Sequence, residues 1–242
     1  MLKNRLRINP QARRLREVLL ACNVVFKSQT KSIAKKCISD GIDFIFDVGA
    51  NSGQFAIDMR RNGYKGCIYS FEPVAATFSI LSEQVSKDRK WEAFNFALGE
   101  SEGYREINVS GNSGLSSSFL KMNFVHIENF PKSSFVSSES VFMSTIDRQV
   151  ELLKVNPQSS MLKIDVQGYE FNVLQGANQS LKDFRYCYLE VSLTRLYEGE
   201  CTFYEILKNL HQSGHELIDV FRGVTDRDGS LLQVDILTKS KR

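Results

Sequence analysis

Only four prolines, three histidines and one tryptophan occur in the 242 residues. No apolar run approaches the ~18 residues that a membrane-crossing helix needs. The scarcity of proline, beside fifteen glycines, excludes collagen-like and proline-rich chains. The five cysteines (Cys22, Cys37, Cys67, Cys187 and Cys201) include no Cys-x-x-Cys pair. An odd, scattered set excludes a disulfide framework and a zinc ribbon, and reads as reduced thiols in a cytoplasmic protein. Of the histidines, His211 and His215 alone have metal-pair spacing, but Gly214 interrupts the helix between them. They read as structural, and no metal site is expected. Val18 to Phe26 is a short apolar run behind basic residues. Asn23 interrupts it, and Lys27-Ser28-Gln29 follows where a small-residue cleavage site would stand, so it is not read as a secretion signal.

What remains is an ordinary globular composition, 42% hydrophobic and 24% charged. Charge is unevenly placed. Residues 1–40 hold ten Lys/Arg against Glu17 and Asp40, +8, which leaves the other 202 residues at −5 of a total of +3. The main body is therefore not basic, and no nucleic-acid partner is expected. Residues 1–40 read as a basic helical arm with an apolar stripe at Leu15, Val18, Leu19, Cys22, Val25 and Phe26. The stripe needs burial, which suggests packing on the main domain. A basic amphipathic helix also suits an acidic partner or peripheral contact with a membrane surface. Oligomeric state is not legible.

From residue 41 to 242 the pattern is that of one domain. Phe44 to Val48, Cys67 to Phe71 and Trp91 to Leu98 read as buried strands, with helices over Ser52–Arg61 and Val74–Ser86 between them. This alternation predicts a parallel sheet with helices on both faces. Residues 102–146 break the rhythm with an added hairpin or flap, and its Ser/Gly/Asn-rich segment 110–140 reads as a lid over a substrate. Alternation then resumes, with strands at Met161–Val166 and Arg185–Val191, helices over Thr145–Lys154, from Glu170 and over Thr202–Gln212, and a last strand pair at His215–Phe221 and Leu231–Leu237.

The first strand runs into Asp47-Val48-Gly49-Ala50-Asn51-Ser52-Gly53-Gln54-Phe55. A glycine turn at a helix N-terminus allows close backbone approach and favours an anionic group. The spacing acid-x-Gly-x-x-x-Gly is not the dinucleotide Gly-x-Gly-x-x-Gly. It is the turn typical of S-adenosylmethionine enzymes: free N–H groups would meet the ligand's carboxylate, and Asp47 its ammonium. The second strand ends at Glu72-Pro73, 19 residues beyond Gly53, where an acid would hold two ribose hydroxyls. The third ends at Asn95-Phe96-Ala97, beside the place of the adenine. Asp165 closes the fourth strand and Glu190 lies near the end of the fifth. Four acids on one rim suit a cationic sulfonium and a hydroxyl whose proton must leave. Candidate bases are Asp165, His126, Glu170 and Glu190, His126 because imidazole titrates in the useful range.

Taken together, FDVGANSGQF (46–55), GYKGCIYSFEP (63–73), NFALGE (95–100), NSGLSSSFL (112–120), STID (144–147), LKIDVQGYEFNVLQGA (162–177) and LLQVDIL (231–237) resemble the FkbM-type methyltransferase family. The resemblance covers residues 43–238. It implies the class I methyltransferase Rossmann-like fold: a seven-stranded, mostly parallel sheet with the last strand antiparallel and a flap inserted after the third. It implies S-adenosyl-L-methionine as cofactor, held at Asp47, Gly49, Asn51, Gly53, Glu72 and Ala97, with Asp165 near the reacting centre. Ala50, Gln54, Phe55, Pro73 and Asn95 flank these as further candidate contacts. It also implies O-methylation of a small-molecule or glycan acceptor: a sugar, glycolipid or secondary metabolite. A cofactor-binding protein of the same fold without turnover is the alternative. A nucleic-acid or protein methyltransferase fits less well, since residues 165–168 read Asp-Val-Gln-Gly and no proline precedes a cysteine.

Overall fold

Short apolar runs bounded by glycine have nowhere to go but the middle of a sheet covered on both faces. The structure, a computed structural model, describes residues 29–242. The stripe from Leu15 to Phe26 lies outside the described residues. Residues 29–39 form helix α1. There follow β1 (Phe44–Val48), α2 (Gln54–Arg61), β2 (Cys67–Phe71), α3 (Ala75–Val85), β3 (Trp91–Phe94), β4 (Ala97–Leu98) and β5 (Gly103–Ser110). The second half comprises α4 (Phe124–Asn129), β6 (Phe135–Ser144), α5 (Ile146–Leu153), β7 (Ser160–Ile164), α6 (Glu170–Gln175), β8 (Tyr186–Ser192), α7 (Phe203–Gln212), β9 (His215–Arg222) and β10 (Gln233–Ser240). Among the described residues no helix is long and apolar enough to cross a membrane.

Seven strands make one sheet in the order β3-β2-β1-β7-β8-β10-β9. All neighbours are parallel except β10, which runs against both β8 and β9. The strand order reverses between β1 and β7, which is where an open α/β sheet leaves a crevice at its carboxyl ends. Alternation along β1 feeds both faces. Ile45 packs with Ile68, Met161 and Tyr188 under α1 and α2. Phe46 and Val48 pack with Leu162, Ile164 and Leu189 under α6 and α7. An aromatic ladder ties β1 to its neighbours: Phe46 lies 5.7 Å from Phe71, which lies 5.2 Å from Phe94.

The structure redraws two expectations. Ile33, Ala34 and Cys37 of α1 are buried in the core with Ile45 and Met161, so residues from 29 onward pack as part of the domain and not as an arm ending at 40. The strand expected over Trp91–Leu98 breaks after Phe94. Asn95 turns aside to donate its amide to the carbonyls of Glu72 and Pro73, and Ala97–Leu98 joins a second, three-stranded sheet of order β4-β6-β5. The segment 110–140 has structure of its own: it contains α4, and Asn108 and Ser118 exchange backbone hydrogen bonds that fold it back onto β5.

The end of α6 meets the turn after β4 closely at Gly176, where an added Cβ would lie 1.9 Å from the Gly99 carbonyl oxygen. Gly176→Ala is expected to cost about 1–3 kcal/mol by overpacking, read as a lowered urea midpoint. An unchanged midpoint would mean that the helix end and that turn can separate without loss.

Candidate active site

A cavity of about 1060 Å³ opens at the crevice between β1 and β7. This is at the upper end of the roughly 300–1,000 Å³ usual for ligand sites. Its floor is the turn after β1. Gly49 has φ +71°, and a Cβ there would fall 1.9 Å from the Asp165 carbonyl oxygen, so only glycine lets the two strand ends approach. Asn51 also takes a left-handed conformation, at φ 48°.

The donors of this turn are not free, contrary to expectation. Gly49 and Ala50 both donate to the Phe71 carbonyl, Asn51 to Glu72 Oε2 at 2.9 Å, and Ser52 to the Asn51 side chain. The open donors lie one step further on. No side chain caps the first turn of α2, and its residues Gln54 and Phe55 line the cavity. The positive end of that helix therefore faces the cavity. Gly53 serves packing instead: it stands against Trp91, whose ring would lie 2.7 Å from an added Cβ.

Glu72, at the tip of β2, lines the cavity and is only 6% exposed. Its Oε2 accepts from Asn51 N–H and its Oε1 from Val74 N–H, both at 2.9 Å. Burial pushes its carboxyl up to about 7, against the pull of those two N–H groups. Each oxygen keeps a second lone pair for a ligand. Pro73, Ala97, Leu98, Gly114 and Leu115 continue the wall beside it.

Asp47 does not reach the cavity. It faces Lys163, its register partner on β7, whose Nζ lies 3.0 Å from Oδ1. Ser70 Oγ donates to the other oxygen at 3.2 Å. Lys163 also donates to the Val48 and Gly49 carbonyls at 3.3 and 2.9 Å. Burial opposes its charge, but Asp47 and Asp165 outweigh that and hold its pKa above the usual lysine value. The carboxylate expected to meet a ligand ammonium is thus used to pin the turn from beneath. Asn95 likewise supports the Glu72 corner without lining the cavity.

The other end of the crevice carries Asp165, Glu190 and Asp235, all lining the cavity. Gln167 joins the first two, its Nε2 lying 2.9 Å from both Asp165 Oδ1 and Glu190 Oε2. Its backbone is held at φ 56°, a costly conformation for glutamine. Tyr197 donates to Gln167 Oε1 at 3.0 Å and Ser118 Oγ to its carbonyl at 2.7 Å, which fixes the strained residue to the segment above the cavity.

Two expected bases are displaced from the site. Glu170 is buried, and its Oε1 accepts from Val166 and Gly168 N–H at 3.1 Å, shaping the turn after β7. Burial raises its carboxyl to about 8, but it does not line the cavity. His126 is 3% exposed, wedged between Phe130 and Tyr197, with Nε2 2.8 Å from Ser133 Oγ. Burial lowers its pKa, and it too is absent from the lining. His215 is buried, its ring lying against Thr238 Oγ1 and the Leu181 carbonyl.

Lys163, Gln167 and Asp235 were not among the expected site residues. A lysine within LKID and an aspartate within VDIL each stand out inside a buried strand. Gln167 left no such mark, because a left-handed glutamine cannot be read from residue type.

This strand order, with one antiparallel strand near the edge and a ligand crevice at the β1/β7 switch, is the α/β methyltransferase fold. A family profile described as Methyltransferase FkbM domain matches residues 47–217. The chain belongs to that family. The 2-O-methyltransferase NoeI of Sinorhizobium fredii is 26% identical over 187 residues, covering 74% of this chain and 75% of that protein. Methyltransferase sdnD of Sordaria araneosa is 26% identical over 159 residues, covering 56% of this chain but only 61% of that protein. A methyltransferase FkbM structure from Methylobacillus flagellatus superposes with a TM-score of 0.52 at 12% identity, covering 80% of this chain and 43% of that one.

Proposed function

We propose that this chain transfers a methyl group from S-adenosylmethionine to a hydroxyl of a sugar, glycolipid or secondary metabolite. The observation that carries this reading is Glu72, a buried carboxyl at the tip of β2, with two backbone N–H groups fixing it and lone pairs open to the cavity. That is the place and chemistry for a pair of ribose hydroxyls. The rest of the cavity fits the same ligand. Ala97, Leu98 and Pro73 give an apolar slot for the adenine, and the uncapped first turn of α2 suits the amino-acid carboxylate. Asp165 offers negative charge for the ammonium or sulfonium.

When bound, the cofactor supplies a methyl group on a positively charged sulfur. The chain's part is to hold the acceptor oxygen in line with that carbon and exclude water from the crevice. The cavity exceeds what one nucleoside-sized ligand fills, and its far end is lined by Glu190, Asp235, Gln167 and Thr225. Such groups suit an acceptor rich in hydroxyls. NoeI, by its name a 2-O-methyltransferase, supports an oxygen acceptor. The four described cysteines are free thiols, in keeping with a reducing, cytoplasmic setting.

Methyl-labelled S-adenosylmethionine, offered with a panel of monosaccharides, glycolipids and polyketide alcohols, tests this. The expected result is label in a product ether with release of S-adenosylhomocysteine. Tight cofactor binding without transfer to any hydroxyl would favour a binding protein of the same fold.

A further inference from the structure

Glu190 on β8 and Asp235 on β10 are direct register partners across an antiparallel pair. Their side chains share one face, and both line the cavity. Two carboxylates placed opposite each other repel, and burial sharpens the conflict. The surroundings fix one of them. Glu190 Oε2 accepts from Gln167 Nε2 and from Gln233 Nε2, each at 2.9 Å. Among the described residues nothing donates to its other oxygen. Tyr188, two residues before Glu190 on β8, pulls the Asp235 carboxyl down against burial. No group of three or more His, Cys, Asp or Glu side chains among the described residues is arranged around a common point for a metal ion.

We propose that Glu190 and Asp235 share one proton, lose it when the positively charged cofactor enters the cavity, and then take up the proton of the acceptor hydroxyl. This deepens the methyltransferase reading and depends on it. The hydroxyl oxygen forms the new O–CH₃ bond while the C–S bond breaks and its electron pair stays on sulfur. The O–H proton passes to the carboxyl pair, which keeps it as products leave and so returns to its starting state; the one proton released per turnover is the one given up to water as the cofactor enters. The sulfonium charge is consumed in that step, so the pair is most basic when it must hold the proton.

The charged groups around the pair support a single shared proton. Asp165 from β7 and Glu170 from α6 add negative charge, while Lys163 on β7 opposes them. Tyr188 and Tyr197 are neutral neighbours, and Arg222, at the end of β9, lines the same cavity. Burial, then Asp165 and Asp235, hold Glu190 well above the ordinary carboxyl range. Burial and Asp165 push Asp235 up to about 7. A base poised there matches neutral working conditions.

Calorimetric titration with S-adenosylmethionine and with S-adenosylhomocysteine, which lacks the sulfonium charge, tests the coupling. Taking the ratio of the two affinities cancels every pH effect that the ligands share, including that of Glu72. In the wild type the ratio should rise about tenfold between pH 6 and pH 8, the size of a one-unit shift in a site carboxyl. In Asp235→Asn and Glu190→Gln, both nearly isosteric, the ratio should be flat. S-Adenosylhomocysteine binding retained in both variants certifies the fold. A wild-type ratio independent of pH, or variants that keep the wild-type slope, would overturn the shared-proton role and leave the cofactor site standing. No binding of either ligand to the wild type would overturn the underlying reading itself.

Discussion

Glu72→Gln is expected to weaken S-adenosylhomocysteine binding by about 100-fold. The carboxylate accepts from two backbone N–H groups and keeps lone pairs for two ribose hydroxyls. A glutamine must turn its NH₂ toward Asn51 or Val74 N–H, donor against donor, and it offers one oxygen where two are needed. Hydrogen bonds to a charged group contribute about 1.5–3 kcal/mol each, so losing one with its corner geometry reaches that factor. The wild type should also show a pH dependence. With the Glu72 carboxyl raised to about 7 by burial, the ionised acceptor form fills as pH rises through 7. Affinity for S-adenosylhomocysteine should therefore fall below pH 7, by up to about tenfold per unit, and Glu72→Gln should lose that slope. Titration calorimetry at pH 6, 7 and 8 measures both effects. A loss under threefold in the variant would remove Glu72 from the binding site.

Lys163→Met is expected to remove about 3–5 kcal/mol of folding stability, the cost of leaving a buried charge unpaired. Asp47 is fully buried and its partner nearly so, at 0% and 7% side-chain exposure. The same ammonium ties the Val48 and Gly49 carbonyls, so its loss also frees the turn that floors the cavity. Adding Asp47→Asn to Lys163→Met should recover part of the loss, because the unpaired charge goes too. Urea denaturation of both variants reads this. A single-variant cost below 1 kcal/mol would mean that the pair does not carry the turn.

Apolar runs and glycines made the main sheet legible, since a buried parallel strand has few other readings. The ends of Cys67–Phe71 were plain because Gly66 and Pro73 bracket them. The break after Phe94 was not, because it depends on where the Asn95 amide finds carbonyls on the neighbouring strand. At the site, Glu72 and Asp165 were legible from their places after apolar strands. Asp47 was read as a ligand contact because a strand-end acid beside a glycine turn looks the same whether it faces out or in. Only the register with Lys163 decides that, and register between β1 and β7 spans more than a hundred residues. His126 failed for a related reason: a polar loop reads as solvated until Phe130, Ser133 and Tyr197 are seen to close over it.

The crystal structure of the full chain with S-adenosylhomocysteine tests the central claim most directly. The ligand should lie in the β1/β7 crevice with its ribose hydroxyls on Glu72 and its carboxylate at the first turn of α2. Its sulfur should face the end of the cavity that carries Asp165, Glu190 and Asp235. A ligand bound elsewhere, or one with its ribose away from Glu72, would contradict the site as drawn.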